Sequence, residues 1–531
     1  MPDSAVYEEL NRRWKSTCKV LLGDEVGDLR DYEDWLSKIF SPKAVRKSKS
    51  GKEVVLALPH YSTTARFLSF DEVNFMKDNG PLSINEIKDI DSIIGALGEK
   101  IQYTGNIVLG TSKFVEKSTG VIDSFYAYES ERMAKCKYIA YGTETTASEC
   151  VFGSNGFGAT TYSIRVFELM YSSRCFESSK IEYSTDVYFS HGLANCQNAM
   201  FCFNLRSGRN CIGNLPLPPD KYLKIKTKLL GEIREELKKK KRLPSLLELG
   251  GTPVQNKKEI WAIVKGSGDN GEEKPDRNAI EDAFSATTKL VFEKPYGNID
   301  KFGKWLGQYA GRLEKSSSSA SDRPLLAFYK CTDICPTHRL VTQAEAFALG
   351  EKLRMSEKEV ESLALSNVPE AISRIAFFSS QWDSGKLRNI IESVWNFDSS
   401  NCYRAMVDIN SKYCAYCYWP RDSEYMFGGN EVRDSTFCIN CYHSAKLQRC
   451  FEVDSSRGCS DCFFCHNCEN VHDSMFCFNV KNLKNAIANV ELPRERYLEI
   501  KKRVLAELNG ELSRTNSIAL SIFNLAEKRK E

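Results

Sequence analysis

The stretches SKYCAYC at 411–417, STFCINC at 435–441 and CSDCFFC at 459–465 stand 24 residues apart. Each holds cysteines three apart among aromatic and β-prone residues, two in the first and second stretches and three in the last, with little helix-favouring sequence between them. A fixed period of this length with short β-prone runs is the pattern of a chain wound into stacked coils, because one turn of chain cannot bury its own apolar face. Asp-Ser pairs at Asp398, Asp422 and Asp434 mark corners, where a short polar side chain bonds the backbone. The expectation is a parallel β-solenoid over roughly 120–214 and 395–489, with about four coils of 24 residues in each.

The two regions follow from a longer repeat. MFCFNLRSGRNCIGNLPLPPDKYLKIK begins at Met200, and MFCFNVKNLKNAIANVELPRERYLEIK begins 275 residues later at Met475. The same offset aligns Gly153 with Gly428, Arg174-Cys175-Phe176-Glu177 with Arg449-Cys450-Phe451-Glu452, and His191 with His466. Upstream, Trp35-Leu36 matches Trp305-Leu306 at an offset of 270. The sequence therefore reads as an α+β tandem duplication. Each copy has a mainly helical N-terminal region (1–118 and 277–394), then a β-solenoid with a capping helix (119–243 and 395–531), and residues 244–276 link the copies. Within that link, 265–276 is polar, Gly-rich and Pro-containing.

Tyr222, Ile225, Leu229, Ile233 and Leu237 recur at helical spacing behind Pro218-Pro219-Asp220, as do Tyr497, Ile500, Val504, Leu505 and Leu508. Such a helix covers the apolar, unpaired end of a solenoid. Leu29, Tyr32, Trp35, Leu36 and Ile39 give the same spacing in the first N-terminal region. The serine run from Lys315 to Ala320 reads as an exposed loop, as does RKSKSG at 46–51.

Composition narrows the function. A net charge of +3 from 73 basic and 70 acidic residues gives no general polyanion binder. MPDSAVYEE lacks a basic stretch before an apolar core, so no secretory leader is expected. No run reaches the roughly 18–20 apolar residues of a membrane span. Twenty cysteines without a leader point to a reducing setting: the cytoplasm, or a virion if the chain is phage-encoded.

Cys459-x-x-Cys462-x-x-Cys465-x-x-Cys468 has the paired spacing of thiolate zinc sites. In a solenoid, Cys414, Cys438 and Cys462 would stack in one column and Cys417, Cys441 and Cys465 in another. Iron–sulfur ligation uses related runs but with a longer final spacing and a proline. The first copy weighs against metal. Ser184, Val187, Ser190 and Leu193 stand where the four-cysteine run would be, and Ile139, Ser163, Gly142 and Val166 stand in the columns. Only Cys175/Cys450 and Cys202/Cys477 occur in both copies. Buried thiols packed as small hydrophobes are therefore the leading reading. Zinc on Cys459, Cys462, Cys465, Cys468, Cys414, Cys417, Cys438 and Cys441 is the alternative, with nucleic-acid contact as its accompanying partner class. His191 and His466 read as corner histidines bonded to backbone, since no acid or nucleophile recurs beside both. Cys331, Cys335 and His338 read as a structural loop, and the basic run 238–242 as a solvated helix end.

Phe201-Cys202, Asn204-Leu205-Arg206, Cys211-Ile212, Asn214 and Tyr222 resemble the closing motif of a family of cysteine-rich repeat proteins from uncultured bacteria and phages. Those chains end in a pattern like C-V-N-L-R-N-K-x-Y-C-I-F-N-K-x-Y-S-K-E-E-Y. Asn479, Lys481, Ile487, Asn489 and Tyr497 keep part of it. The resemblance covers the end of each solenoid and its helix, and implies a repeat fold without a settled activity. The family's upstream C-P-x-C-R segment is absent from this sequence. The functional expectation is a non-enzymatic scaffold with no resident cofactor, which binds protein partners or associates with itself.

Overall fold

The computed structural model describes residues 4–38, 44–75, 89–97, 101–267, 275–328 and 334–527. It is a mixed α/β structure with large sheets of mainly parallel strands. The chain divides into two compact units, each drawing on three separate stretches. The first unit takes Met1–Lys43, Ile107–Asn270 and Glu314–Trp382; the second takes Ala44–Asn106, Gly271–Leu313 and Asp383–Glu531.

In the first unit a 14-stranded sheet runs from Val108 to Pro216. Its parallel register advances twelve residues at each step: Lys137 pairs with Glu149, Glu149 with Thr161, Thr161 with Ser173, and Ser173 with Thr185. The second unit keeps the same step, through Lys412, Glu424 and Thr436. The expected repeat of 24 is thus two rungs of twelve. Met426 and Cys450 occupy the intervening rungs of the column that carries Cys414, Cys438 and Cys462, which hid the shorter period.

Every third residue along these rungs is left-handed: Asp123, Tyr126, Glu129, Arg132, Lys135 and Tyr138 have φ between 46 and 58°. Non-glycine residues rarely adopt this region, and each does so at a cost of about 1–2 kcal/mol. The cost is met by the next residue, which turns inward. Val151, Ser154, Phe157 and Thr160 are such residues within one rung, and all are buried. The hydroxyls among them close the backbone bonding that tight corners leave open. Ser154 Oγ donates to Phe152 O (3.2 Å) and accepts the Val166 N–H (3.1 Å). Ser178, Ser190 and Cys202 continue this column, with the Ser190 N–H on Ser178 Oγ (3.2 Å) and the Cys202 N–H on Ser190 Oγ (3.0 Å). A buried N–H without a partner costs about as much as a lost hydrogen bond, which favours small hydroxyl or thiol side chains there, although Val166 occupies one step of this column.

Helices cover the sheets. In the first unit, α1 (Ala5–Leu22) is capped by Ser4 and buries Leu10, Trp14, Cys18 and Leu21 against the strands. Trp14 meets Phe152 edge-on at 5.5 Å. Helix α2 (Pro219–Lys240) buries Tyr222, Ile225, Leu229, Ile233 and Leu237 at the end of the sheet, as its spacing predicts. In the second unit, α3 (Arg277–Phe292) seats Phe284 on Phe427 at 5.2 Å and Phe292 on Phe451 at 5.0 Å. Helix α4 (Arg494–Thr515) buries Tyr497, Ile500, Val504, Leu505, Leu508 and Leu512. The recurring glycines have a packing reason. A Cβ on Gly153 would lie 2.7 Å from Leu36 Cδ2, and one on Gly428 would lie 2.7 Å from Leu306 O.

Two expectations need correction. The regions before the sheets are only partly helical. Ala44–Lys47 pairs antiparallel with Glu53–Leu56, and Arg66–Ser69 pairs parallel with Gln102–Gly105. In the Val54-Val55-Leu56 run the two valines are β-branched and all three residues are buried, and Gly51 at φ 89° turns the hairpin. The second stretch has the same order, with Leu313–Ser317 beside Pro324–Phe328 and Leu340–Val341 beside Phe378–Ser379. The serine run is therefore not an exposed loop. Ser318 is fully buried and donates to Glu345 Oε2 (2.5 Å). Its counterpart Ser48 donates to Glu72 (3.2 Å), and Glu72 and Glu345 each close a capping box, with Ser69 and Thr342. Among the described residues no helix is long and apolar enough to cross a membrane.

Candidate functional site

The inward position on a rung explains where the cysteines lie. Cys459, Cys462, Cys465 and Cys468 face inward from one rung of the second unit, at most 2% exposed, and Cys414, Cys417, Cys438 and Cys441 face inward from others. All are free thiols. Each repeats the serine geometry by donating to the carbonyl two residues back. Cys414 reaches Lys412 O at 3.4 Å, Cys462 Ser460 O at 3.3 Å and Cys465 Phe463 O at 3.4 Å. Burial pushes the thiols of Cys438, Cys441 and Cys450 up. Cys465 differs: burial also opposes its thiolate, but hydrogen bonds from Cys462, Cys468 and Cys477 hold it below the ordinary value. Among the described residues no group of three or more His, Cys, Asp or Glu side chains is placed to hold a metal ion. Cys335 is buried, and His338 Nε2 lies 2.8 Å from Gly251 O; Cys331 falls outside the described residues.

The two histidines are where side chains of different stretches converge. His191 is 1% exposed, and its Nε2 accepts the Ser379 N–H at 3.2 Å. An acceptor Nε2 puts the ring proton on Nδ1, which then donates to Ser179 Oγ at 2.8 Å. His466 is fully buried, and its Nε2 accepts the Thr104 N–H at 2.8 Å. Its Nδ1 donates to Asp454 Oδ2 at 2.8 Å, and Tyr61 Oη donates to the same oxygen at 2.5 Å. An asparagine completes each arrangement. Asn204 Nδ2 donates to Phe377 O, and Asn479 Nδ2 donates to Gln102 O, both at 2.8 Å. The asparagines are tied to the histidines through backbone, with the Asn204 N–H on His191 O (2.8 Å) and the Asn479 N–H on His466 O (2.9 Å). Between the two bracketed groups sits an aromatic ring: Phe378 lies 4.8 Å from His191, and Tyr103 lies 5.3 Å from His466. Each His–Asn pair thus brackets one extended dipeptide step, reading a carbonyl and the N–H two residues on.

Every member of one bracket has its counterpart 275 positions away: Gln102 and Phe377, Tyr103 and Phe378, Thr104 and Ser379, Ser179 and Asp454, His191 and His466, Asn204 and Asn479. The buried acids pair likewise. Glu177 is bonded to Arg165, and burial pushes its carboxyl up to about 7. Glu452 accepts Ser521 Oγ and the Ile522 N–H, each at 2.8 Å, and burial pushes it up to about 8.

The chemistry follows from occupancy. A general base needs a free lone pair, yet both nitrogens of each ring are engaged. Burial, and then the charge of Lys180, hold His191 well below the usual imidazole range, so it stays neutral. Against burial, the hydrogen bond from His466 holds Asp454 below the ordinary carboxylate range. These residues can grip a backbone segment. The corner-histidine reading anticipated a backbone bond but not its donors at Thr104 and Ser379. The available signal was the 275 offset itself, which continues upstream to QYTG at 102–105 and FFSS at 377–380 with little identity. No protein-family model, curated protein or solved structure matches this chain.

Proposed function

We propose that this chain is a non-enzymatic scaffold, a tandem duplication of a helix-covered β-solenoid with twelve-residue coils, which binds protein partners or its own copies. The observation that carries the reading is the set of straight outer columns with the same twelve-residue step. Tyr171 and Tyr183 stack at 5.0 Å and are 56% and 54% exposed. Tyr413, Tyr425 and Phe437 stack at 4.8 and 4.5 Å. Asn470 and Asn482 join at 2.8 Å, while Arg174 meets Asp186 at 2.7 Å and Arg449 meets Asp461 at 2.6 Å. Stacked strands place like groups about 4.8 Å apart on a stiff surface, which suits repeated contacts with a macromolecule better than enclosure of a small substrate. The cytoplasm or a virion is the setting this reading favours.

The test is solution mass together with an activity screen. The scaffold reading expects a defined assembly or a captured protein partner, and no turnover that depends on one polar residue. Reproducible turnover of a small substrate, abolished by a single polar substitution, would contradict it. The second reading, a zinc–thiolate module, rests on the four inward thiols of the 459–468 rung. Metal analysis of the purified protein decides it: near-stoichiometric zinc supports the module, and its absence removes it.

A further inference from the structure

We propose that the two His–Asn brackets are strand receptors through which copies of this chain associate, one molecule lending its 44–106 or 314–382 segment to another. The inference rests on the scaffold reading and names the partner as a second copy of this chain.

Three observations carry it. First, each bracket is filled by a segment from the other half of the sequence. Residues 44–106 belong to the unit built on 383–531, and residues 314–382 to the unit built on 107–270. Second, the recognised groups are backbone: a carbonyl taken by Asn Nδ2 and an N–H taken by His Nε2. Main-chain recognition of an extended segment supplies affinity while side-chain seats supply register. The same segment from another copy would meet the same partners, so intermolecular exchange replaces each bond by an identical one. Third, the described residues of each segment are knitted to one another. Asn106 accepts the Val55 N–H (2.9 Å) and donates to Glu53 O (2.8 Å), and Ser48, Ser69 and Glu72 join the hairpin to the following turn. Ser318, Thr342 and Glu345 do the same in the other segment. Once opened, the competition between a molecule's own segment and a neighbour's is set by concentration.

The test uses two full-length chains with different tags. One carries Phe75→Cys and the other Lys481→Cys. Lys481 Nζ lies 4.5 Å over the Phe75 ring, and neither residue belongs to a bracket. The chains are unfolded together, refolded in concentrated and in dilute solution, and treated with a short bis-maleimide. The proposal expects mixed oligomers joined through positions 75 and 481 from the concentrated sample, and unlinked monomers from the dilute one. Monomers alone from the concentrated sample would overturn it. A second pair of chains, Phe347→Cys and Arg206→Cys, reports the other segment, since Arg206 lies 3.5 Å over the Phe347 ring. Oligomers that form with neither the 75–481 nor the 347–206 link would also overturn the proposal, while leaving self-association by another surface, and with it the scaffold reading, intact.

Discussion

Ser190 shows what an inward position asks of a residue. Its hydroxyl donates to Tyr188 O at 2.8 Å and accepts the Cys202 N–H at 3.0 Å, and 275 positions later Cys465 stands in its place. Ser190→Ala should cost about 1–3 kcal/mol because it orphans a buried N–H. Ser190→Cys keeps a donor and an acceptor and should cost less than about 1 kcal/mol. Denaturant midpoints of the two variants check this. Left-handed residues make the opposite prediction from ordinary strand positions. Ala159 is exposed at φ 48°, so Ala159→Gly should leave stability unchanged or raise it by up to about 1 kcal/mol. Glu452 carries a pH signature. Its ordinary value of 4.5 rises to about 8 in the fold, so the folded chain holds a proton that the unfolded chain releases. Its contribution is fully present below about 4.5, declines as pH rises, and is lost above about 8. Glu452→Gln removes that decline. The stability difference, wild type minus variant, should therefore shrink across this window by a few kcal/mol, at roughly 1.4 kcal/mol per pH unit.

At the scale of elements, the helices that follow each sheet were legible because Tyr222, Ile225, Leu229 and Ile233 keep a strict helical period behind a proline. The parallel stacking was legible through its cysteines, but the rung length was not. An interior column accepts Cys, Met, Ser or Val alike, so identity recurs only at every second rung while the physical repeat is twelve. The hairpins at 44–56 and 313–328 were missed because their polar turns outweigh three or four β-prone residues in a helical neighbourhood. The bracket is an element-scale device with its own test. Asn479→Ala deletes the bond to Gln102 O, worth about 1–1.5 kcal/mol, so amide exchange at 102–105 should quicken roughly tenfold while exchange in the 137–182 strands stays unchanged.

At the scale of the molecule, the 275-residue offset is legible from Met200 and Met475, and it singles out His191 and His466, whose rings accept the backbone N–H groups of Ser379 and Thr104. Which segment fills each bracket was not legible, since a sequence repeat is indifferent to whether a segment docks on its own half or on the other. The central claim is that each unit is completed by the other half of the chain. Cross-linking within dilute full-length monomer tests it most directly. In the folded chain Phe75 faces Lys481, while Arg206, which stands 275 positions before Lys481, is covered by Phe347 at 3.5 Å. The double variant Phe75→Cys/Lys481→Cys is predicted to cross-link with a short bis-maleimide, and Phe75→Cys/Arg206→Cys is predicted not to. A link to position 206 in place of 481 would show that the segment docks on its own half, and would contradict the account.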